Sequence, residues 1–160
     1  MKLSVDKTYE KYADRIFAAA FSVCRNQADA EDVVQDTFFR YYSHVQDFES
    51  EDHIRAWLLR VAINRAKDIS TSFWRKNKVA WEDYMNELVF EEASDNRLFE
   101  AVMHLPDRYR IAIHLFYYEE YSVADIAQIL RCREGTVKSR LNRGRKLLKN
   151  MLMEDWNDDE

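Results

Sequence analysis

Along the first half of the chain apolar residues recur every three or four positions, the period of one face of a helix. Tyr9, Tyr12, Ile16, Ala19, Ala20 and Val23 predict a helix from about Val5 to Cys24. The polar break at Arg25 and Asn26 ends it. Asn26 is placed to cap a second helix whose first turn carries Asp29, Glu31 and Asp32, where the helix dipole favours negative charge. That helix, AEDVVQDTFFRYYSHV, offers Val33, Val34, Thr37, Phe38, Tyr41 and Val45 to a core. A short connector, QDFES, follows, and Ser50 then caps a third helix from about Glu51 to Arg75. Its buried stripe is Ile54, Trp57, Leu58, Val61, Ala62 and Ile69. Three amphipathic helices joined this closely predict a helical bundle.

The period fails between residues 77 and 95, NKVAWEDYMNELVFEEASD, which reads as an acidic linker. Beyond it NRLFEAVMHL forms a helix that stops near Leu105, because Pro106 disfavours helical geometry in the residue before it. Pro106 then suits the first turn of the next helix, DRYRIAIHLFYYE, which buries Ile111, Leu115 and either Ala112 or Tyr118. Ser122 and Asp125 open a short helix, YSVADIAQIL, that ends near Leu130. The connection RCREG leads into EGTVKSRLNRGRKLLKN, where Val137, Leu141, Gly144 and Leu148 share one face. A glycine on that face marks the close approach of another helix.

Composition agrees with an all-α protein. Hydrophobic residues make up 47% and charged residues 33%, with only two Gly and one Pro, too apolar for disorder and too poor in turn-formers for a strand-rich fold. Neither an apolar run long enough to span a bilayer nor a signal peptide is evident, which predicts a cytoplasmic protein. Cys24 and Cys132 match no zinc spacing, and His44, His53, His104 and His114 are scattered, so neither a metal nor a cofactor is expected. No phosphate loop or nucleophile elbow supports an enzyme.

Charge divides the chain more sharply than hydropathy does. Residues 1–76 carry twelve acids and twelve bases, 77–95 six acids against Lys78, 96–150 eleven bases against six acids, and the last ten residues five acids. The expected organisation is a domain over 1–76, a linker over 77–95, a basic domain over 96–153 and an acidic tail over 154–160. The tail either keeps the protein soluble or shields the basic face.

Within the basic domain, Thr136, Lys138, Ser139, Asn142, Arg143, Lys146 and Lys149 lie opposite the packing face of their helix. A short capped helix, a tight turn and a helix whose outer side mixes cations with small hydrogen-bonding residues make a helix-turn-helix. In that arrangement small polar residues reach base edges while Lys and Arg neutralise phosphates. Lys138, Ser139 and Asn142 are the base-contacting candidates; Arg133, Thr136, Arg140, Arg143 and Lys146 are the phosphate-contacting ones. Cys132, flanked by Arg131 and Arg133, is either a thiol of lowered pKa or a passive turn residue.

YSVADIAQILRCREGTVKSRLNRGRKLL resembles region 4 of bacterial RNA polymerase sigma factors, in particular the small extracytoplasmic-function group of the sigma-70 family. ADAEDVVQDTFFRYY resembles region 2.2 of the same family, and AWLLRVAINRAKDI its regions 2.3 and 2.4, including the Asn64 to Asp68 spacing. The two matches stand in the family's order and cover most of the chain apart from linker and tail. The resemblance implies two small helical domains and a specificity subunit that is not itself an enzyme. Such a subunit binds core RNA polymerase and promoter DNA, takes no small-molecule substrate, and is commonly held by an anti-sigma factor.

It further implies that Asp29, Glu31, Asp32, Gln35, Asp36, Phe39 and Tyr42 face the polymerase. The connector Gln46 to Asp52 and the third helix would read the downstream (-10) element through Phe48, His53, Asn64, Lys67 and Asp68, with Arg60, Arg75 and Lys76 on phosphates. Phe73 and Trp74 either close the domain or touch DNA. The region 4 helix would read the upstream (-35) element. The competing expectation is a free-standing dimeric helix-turn-helix regulator that uses the N-terminal bundle for association.

Overall fold

The computed structural model describes residues 1–76 and 96–158, with side chains over 1–70 and 97–153. The expected linker, the side chains of Phe73, Trp74, Arg75 and Lys76, and the acids from Glu154 onward lie outside the described residues. The chain divides into two compact units, Met1–Lys78 and Val79–Glu160. No strand occurs among the described residues.

The first unit is three mutually packed helices, α1 (Val5–Cys24), α2 (Gln27–Ser43) and α3 (Glu51–Lys76). Each starts on a local cap: the side chains of Ser4, Asn26 and Ser50 accept hydrogen bonds from the backbone amides of Lys7, Asp29 and His53. Arg25 closes α1 in the left-handed conformation with φ 56°. The core is drawn from Tyr12, Ile16, Ala19, Ala20 and Val23 of α1, Val33, Val34, Phe38 and Tyr41 of α2, and Ile54, Leu58, Leu59, Ala62, Ile63 and Ala66 of α3. Ala and Val at the crossings let three helices approach closely. Glu51 ties the start of α3 to α1 by accepting from the Tyr12 hydroxyl at 2.9 Å and pairing with Lys11. Burial, followed by this carboxylate, pushes the Tyr12 phenol up to about 12.

Five apolar positions of the first unit fall differently from the sequence reading, among them Val61 and Ile69 of α3, which are half-buried rather than buried. Val45 is 94% exposed because α2 ends at Ser43 and the chain turns away from the bundle. Tyr9 is half exposed and meets Phe38 edge to face, centroids 5.1 Å apart. Trp57 lies off the buried stripe of α3; it is half-buried against Tyr41, His44 and Phe48.

In the second unit α4 (Asn96–His104), α5 (Asp107–Ile113) and α6 (Val123–Leu130) all pack on α7 (Glu134–Asp158). Pro106 sits at the cap of α5 with φ -54° and ψ 147°. The helix that begins there does not run on as regular α: His114–Tyr118 form a π turn, with the Glu119 amide donating to the His114 carbonyl five residues back. The extra residue shifts the angular phase of the side chains around the helix axis, so Leu115 is fully buried while Tyr117 and Tyr118 are more than half exposed. Ala112, not Tyr118, is therefore the second buried partner beside Ile111. Ser122 caps α6 through the Asp125 amide at 3.1 Å.

Val137, Leu141 and Gly144 of α7 are buried, with Leu148 half-buried. A Cβ at Gly144 would stand 2.6 Å from Ile113 Cδ1 and 3.3 Å from Tyr109 Cβ. Gly144→Ala sets about 1 kcal/mol of gained helix propensity against displacement of the Ile113 tip and a tight contact with Tyr109 Cβ, so a net change of no more than about 1 kcal/mol is expected. Gly144→Val adds branched volume against α5 and should lower stability by about 2 kcal/mol, read as a lower urea midpoint at unchanged slope.

Candidate nucleic-acid interface

α6, the three-residue turn Arg131–Arg133 and α7 form the helix-turn-helix. The turn opens with Arg131 in the left-handed conformation (φ 53°), and the Cys132 amide returns to the Ala127 carbonyl at 3.0 Å. Cys132 is a free, half-buried thiol in this turn.

The outer side of α7 has two shoulders. On one, Gly135, Thr136, Ser139, Arg140 and Arg143 line a cleft of about 310 Å³ with Arg108 and Tyr109 of α5. The Arg108 guanidinium lies 4.5 Å from the centre of the Tyr109 ring and donates to its hydroxyl at 3.1 Å. Hydrogen bonds from Arg108 and then Arg143 hold the Tyr109 phenol below its ordinary value. Three guanidinium groups and two aliphatic hydroxyls around one cleft at the start of a helix suit an oxyanion such as a phosphodiester. Sequence reasoning does not single out Arg108, where only its place three residues from Ile111 in a basic helix is visible.

On the other shoulder Arg145 donates to the Tyr117 hydroxyl at 2.6 Å and to Asn142 Oδ1 at 3.2 Å, with its guanidinium 5.5 Å from the Tyr117 ring centre. Asn142 is thus oriented by a neighbour one turn on. Lys138, Ser139, Asn142 and Lys146 are exposed between the shoulders, and Arg133 is exposed in the turn. The face is cationic and studded with short polar side chains.

In the first unit the candidate residues of α3 fall on one stripe by helical spacing: His53, Arg60, Asn64, Lys67 and Asp68. His53, Asn64 and Asp68 are exposed, Arg60 and Lys67 half-buried. Phe48 does not join them. It is 3% exposed, with Tyr41, His44, His53 and Trp57 around its ring at centroid distances of 4.9 to 5.7 Å. As a buried floor of the connector it is not available to stack on a base. His53 Nδ1 accepts from the Glu49 amide at 3.0 Å, which puts the ring proton on Nε2 and leaves a donor there.

The α2 candidates divide by environment. Glu31, Asp32, Gln35, Phe39 and Tyr42 are exposed, the two aromatics by 70% and 69%. Asp29 is half-buried, and burial together with the Asp32 charge raises its carboxyl above the usual range. Asp36 is ion-paired with Arg65 of α3 at 2.9 Å. No cluster among the described residues could hold a metal ion, and no described helix is long and apolar enough to cross a membrane.

The family model described as Sigma-70 region 2 matches residues 8–79, and the one described as Sigma-70, region 4 matches residues 95–148. The ECF RNA polymerase sigma-E factor of Haemophilus influenzae is 32% identical over 148 residues, 81% of this chain and 77% of its own length. The ECF RNA polymerase sigma factor SigW of Bacillus subtilis is 28% identical over 158 residues, 88% of this chain and 84% of its own length. Among solved structures, the sigma factor RpoE in complex with the anti-sigma factor NepR from Bartonella quintana is 26% identical with a TM-score of 0.67, over 92% of this chain and 96% of that one. With both family models matched in order across the two helical units, the chain belongs to the extracytoplasmic-function group of the sigma-70 family of RNA polymerase sigma factors.

Proposed function

We propose that this sigma factor, acting in the cytoplasm, binds core RNA polymerase through α2 and directs it to promoters, reading the -10 element with the first unit and the -35 element with α7. The observation that carries the reading is the cleft between α5 and α7. Arg108, Arg140 and Arg143 there clamp a phosphodiester beside the polar start of a helix, which fixes that helix in the major groove. Lys138, Ser139 and Asn142 then meet base edges, with Asn142 held in place by Arg145. Arg133, Thr136 and Lys146 extend the phosphate contacts. The stripe His53, Asn64, Lys67 and Asp68, with Arg60, Arg75 and Lys76, follows the separated strand. Regulation by an anti-sigma factor is supported by the complex in which the RpoE relative was solved. The dimeric-regulator reading is not favoured, since the N-terminal unit matches Sigma-70 region 2.

Purified protein mixed with core polymerase and a promoter library should transcribe a subset of promoters; binding only to a palindromic site without polymerase would overturn the reading. Within that assay, Lys138→Ala should relax discrimination at the upstream element by about 1 to 3 kcal/mol. Arg143→Ala should weaken all sequences alike and flatten the salt dependence by about one phosphate contact. An unchanged specificity profile for Lys138→Ala removes it from the reading face.

A further inference from the structure

The connector between α2 and α3 is held by a part of the chain far from it in sequence. The Met1 carbonyl accepts from the Phe48 amide at 2.9 Å and the Met1 nitrogen donates to the Phe48 carbonyl at 3.0 Å, a reciprocal pair like one rung of an antiparallel ladder. Lys2 Nζ donates to the His44 carbonyl at 2.6 Å, with the Tyr42 carbonyl 3.4 Å away, and stands 5.1 Å from the centre of the Tyr41 ring. The Tyr41 hydroxyl in turn donates to the Leu3 carbonyl at 2.7 Å. His44 and Tyr42 are the cap and penultimate residue of α2, so the Lys2 ammonium satisfies carbonyls that a helix end leaves without intrahelical partners.

We infer that residues 1–3 form a strap, with Lys2 as its positioning residue, that fixes the geometry of the connector 44–50 and through it the readout of the downstream element. This rests on the proposed reading of the -10 element by the first unit, taken to include the connector that the family resemblance assigns to it. Residues 44–50 contain no helix or strand of their own. Their shape is set from one side by the aromatic cluster around Phe48, from the other by the strap, and at the end by the Glu49 amide on His53 Nδ1. Gln46, Asp47 and Glu49 stay exposed above this base. Removing the Lys2 ammonium leaves the buried ring in place but frees the backbone of the first half of the loop. Loosening of this kind changes which bases the loop admits without unfolding the bundle.

The test compares Lys2→Met, Lys2→Arg and, as a loop control, Glu49→Ala in the full chain. Two readouts are used: amide hydrogen exchange of residues 44–50 in the free protein, and promoter discrimination by the holoenzyme at single-base variants of each element. Lys2→Met is expected to speed exchange over 44–50 about tenfold, the order that a lost charge-assisted hydrogen bond supports. It should blur discrimination at the downstream element several-fold while sparing the upstream one, with Lys2→Arg restoring both readouts. Unchanged exchange overturns the strap. A uniform loss of affinity with a smaller salt slope and unchanged exchange shows that Lys2 contacts a phosphate instead, which also overturns it. Faster exchange with unaltered discrimination overturns the link to readout. Glu49→Ala then tells which premise failed: if it shifts downstream preference the loop reads bases independently of the strap, and if it does not the loop does not read DNA.

Discussion

Replacing Phe39 and Tyr42 together with alanine is expected to weaken binding to core RNA polymerase by more than about a hundredfold while leaving the bundle's stability nearly unchanged. Both rings are about two-thirds exposed and stand three residues apart on α2, one turn beyond the exposed Gln35. Burying an aromatic side chain is worth about 1.5 to 3 kcal/mol, and central aromatic anchors dominate protein interfaces, so losing two should exceed a factor of a hundred in affinity. The neighbouring Phe38 and Tyr41 are 5% and 0% exposed, so the bundle keeps its own aromatics in the double variant. Asp36 is a poorer probe of the same face, because reversing its charge also breaks the pair with Arg65. Titration of labelled protein with core enzyme measures the loss. Unaltered affinity in the double variant would mean that polymerase docks elsewhere.

What can be read from the sequence is what is set by neighbours in the chain. The bounds of α1, the caps at Asn26, Ser50 and Ser122 and the break at Pro106 each involve a side chain and an amide within a few positions, so a local pattern is enough. The packing stripe of α7 is legible for the same reason, Gly144 included. The readings that fail depend on backbone geometry, where a helix stops, how a connector bends or where a π turn intervenes, which hydropathy does not record. Phe48 reads as a connector residue able to stack on a base, but the bend of the connector folds its ring onto Tyr41, His44, His53 and Trp57. Trp57 is one turn from Ile54 and reads as core, but it faces the connector. Tyr118 reads as buried in a regular helix and is turned outward by the π turn, whose extra residue leaves no mark in hydropathy.

The candidate site shows the same division. That α7 is basic and polar on its outer side follows from composition and period alone. Which cations act together does not, since Arg108 joins Arg140 and Arg143 only when α5 crosses α7. The tail illustrates the reverse case. Charge suggests a separate acidic segment, yet the backbone of α7 stays helical to Asp158. At about 1.5 Å per residue, Glu154 then lies roughly 18 Å along the helix from Asn142, beyond a Debye length at physiological salt. The helical continuation carries the backbone of the tail away from the reading face along the helix axis.

Acid should loosen the second unit, and His114 is the reason. Its ring stacks on Tyr118 with centroids 4.8 Å apart, and its Nε2 is buried with no hydrogen-bond partner. Burial lowers its pKa from 6.5 to about 4. The folded unit therefore holds the imidazole neutral through a range in which the unfolded chain takes up a proton. The stability this contributes is complete above the unfolded value of 6.5 and is lost progressively as pH falls toward 4. Each pH unit in that window is worth about 1.4 kcal/mol, so the second unit should lose about 2 kcal/mol by pH 5 on this account alone. Carboxylates begin to protonate at the lower end, so the measurement is a difference. His114→Phe keeps the stacked ring, removes the titrating group and removes an unsatisfied buried nitrogen. Amide exchange over residues 107–118 in the full chain, compared at pH 7, 6 and 5, should show wild type opening progressively more than the variant. Loosening here also releases Tyr117, which holds Arg145 and through it Asn142, so wild-type affinity for the upstream element should fall in the same window. Parallel pH profiles for wild type and His114→Phe would show that the His114 imidazole does not set the acid response.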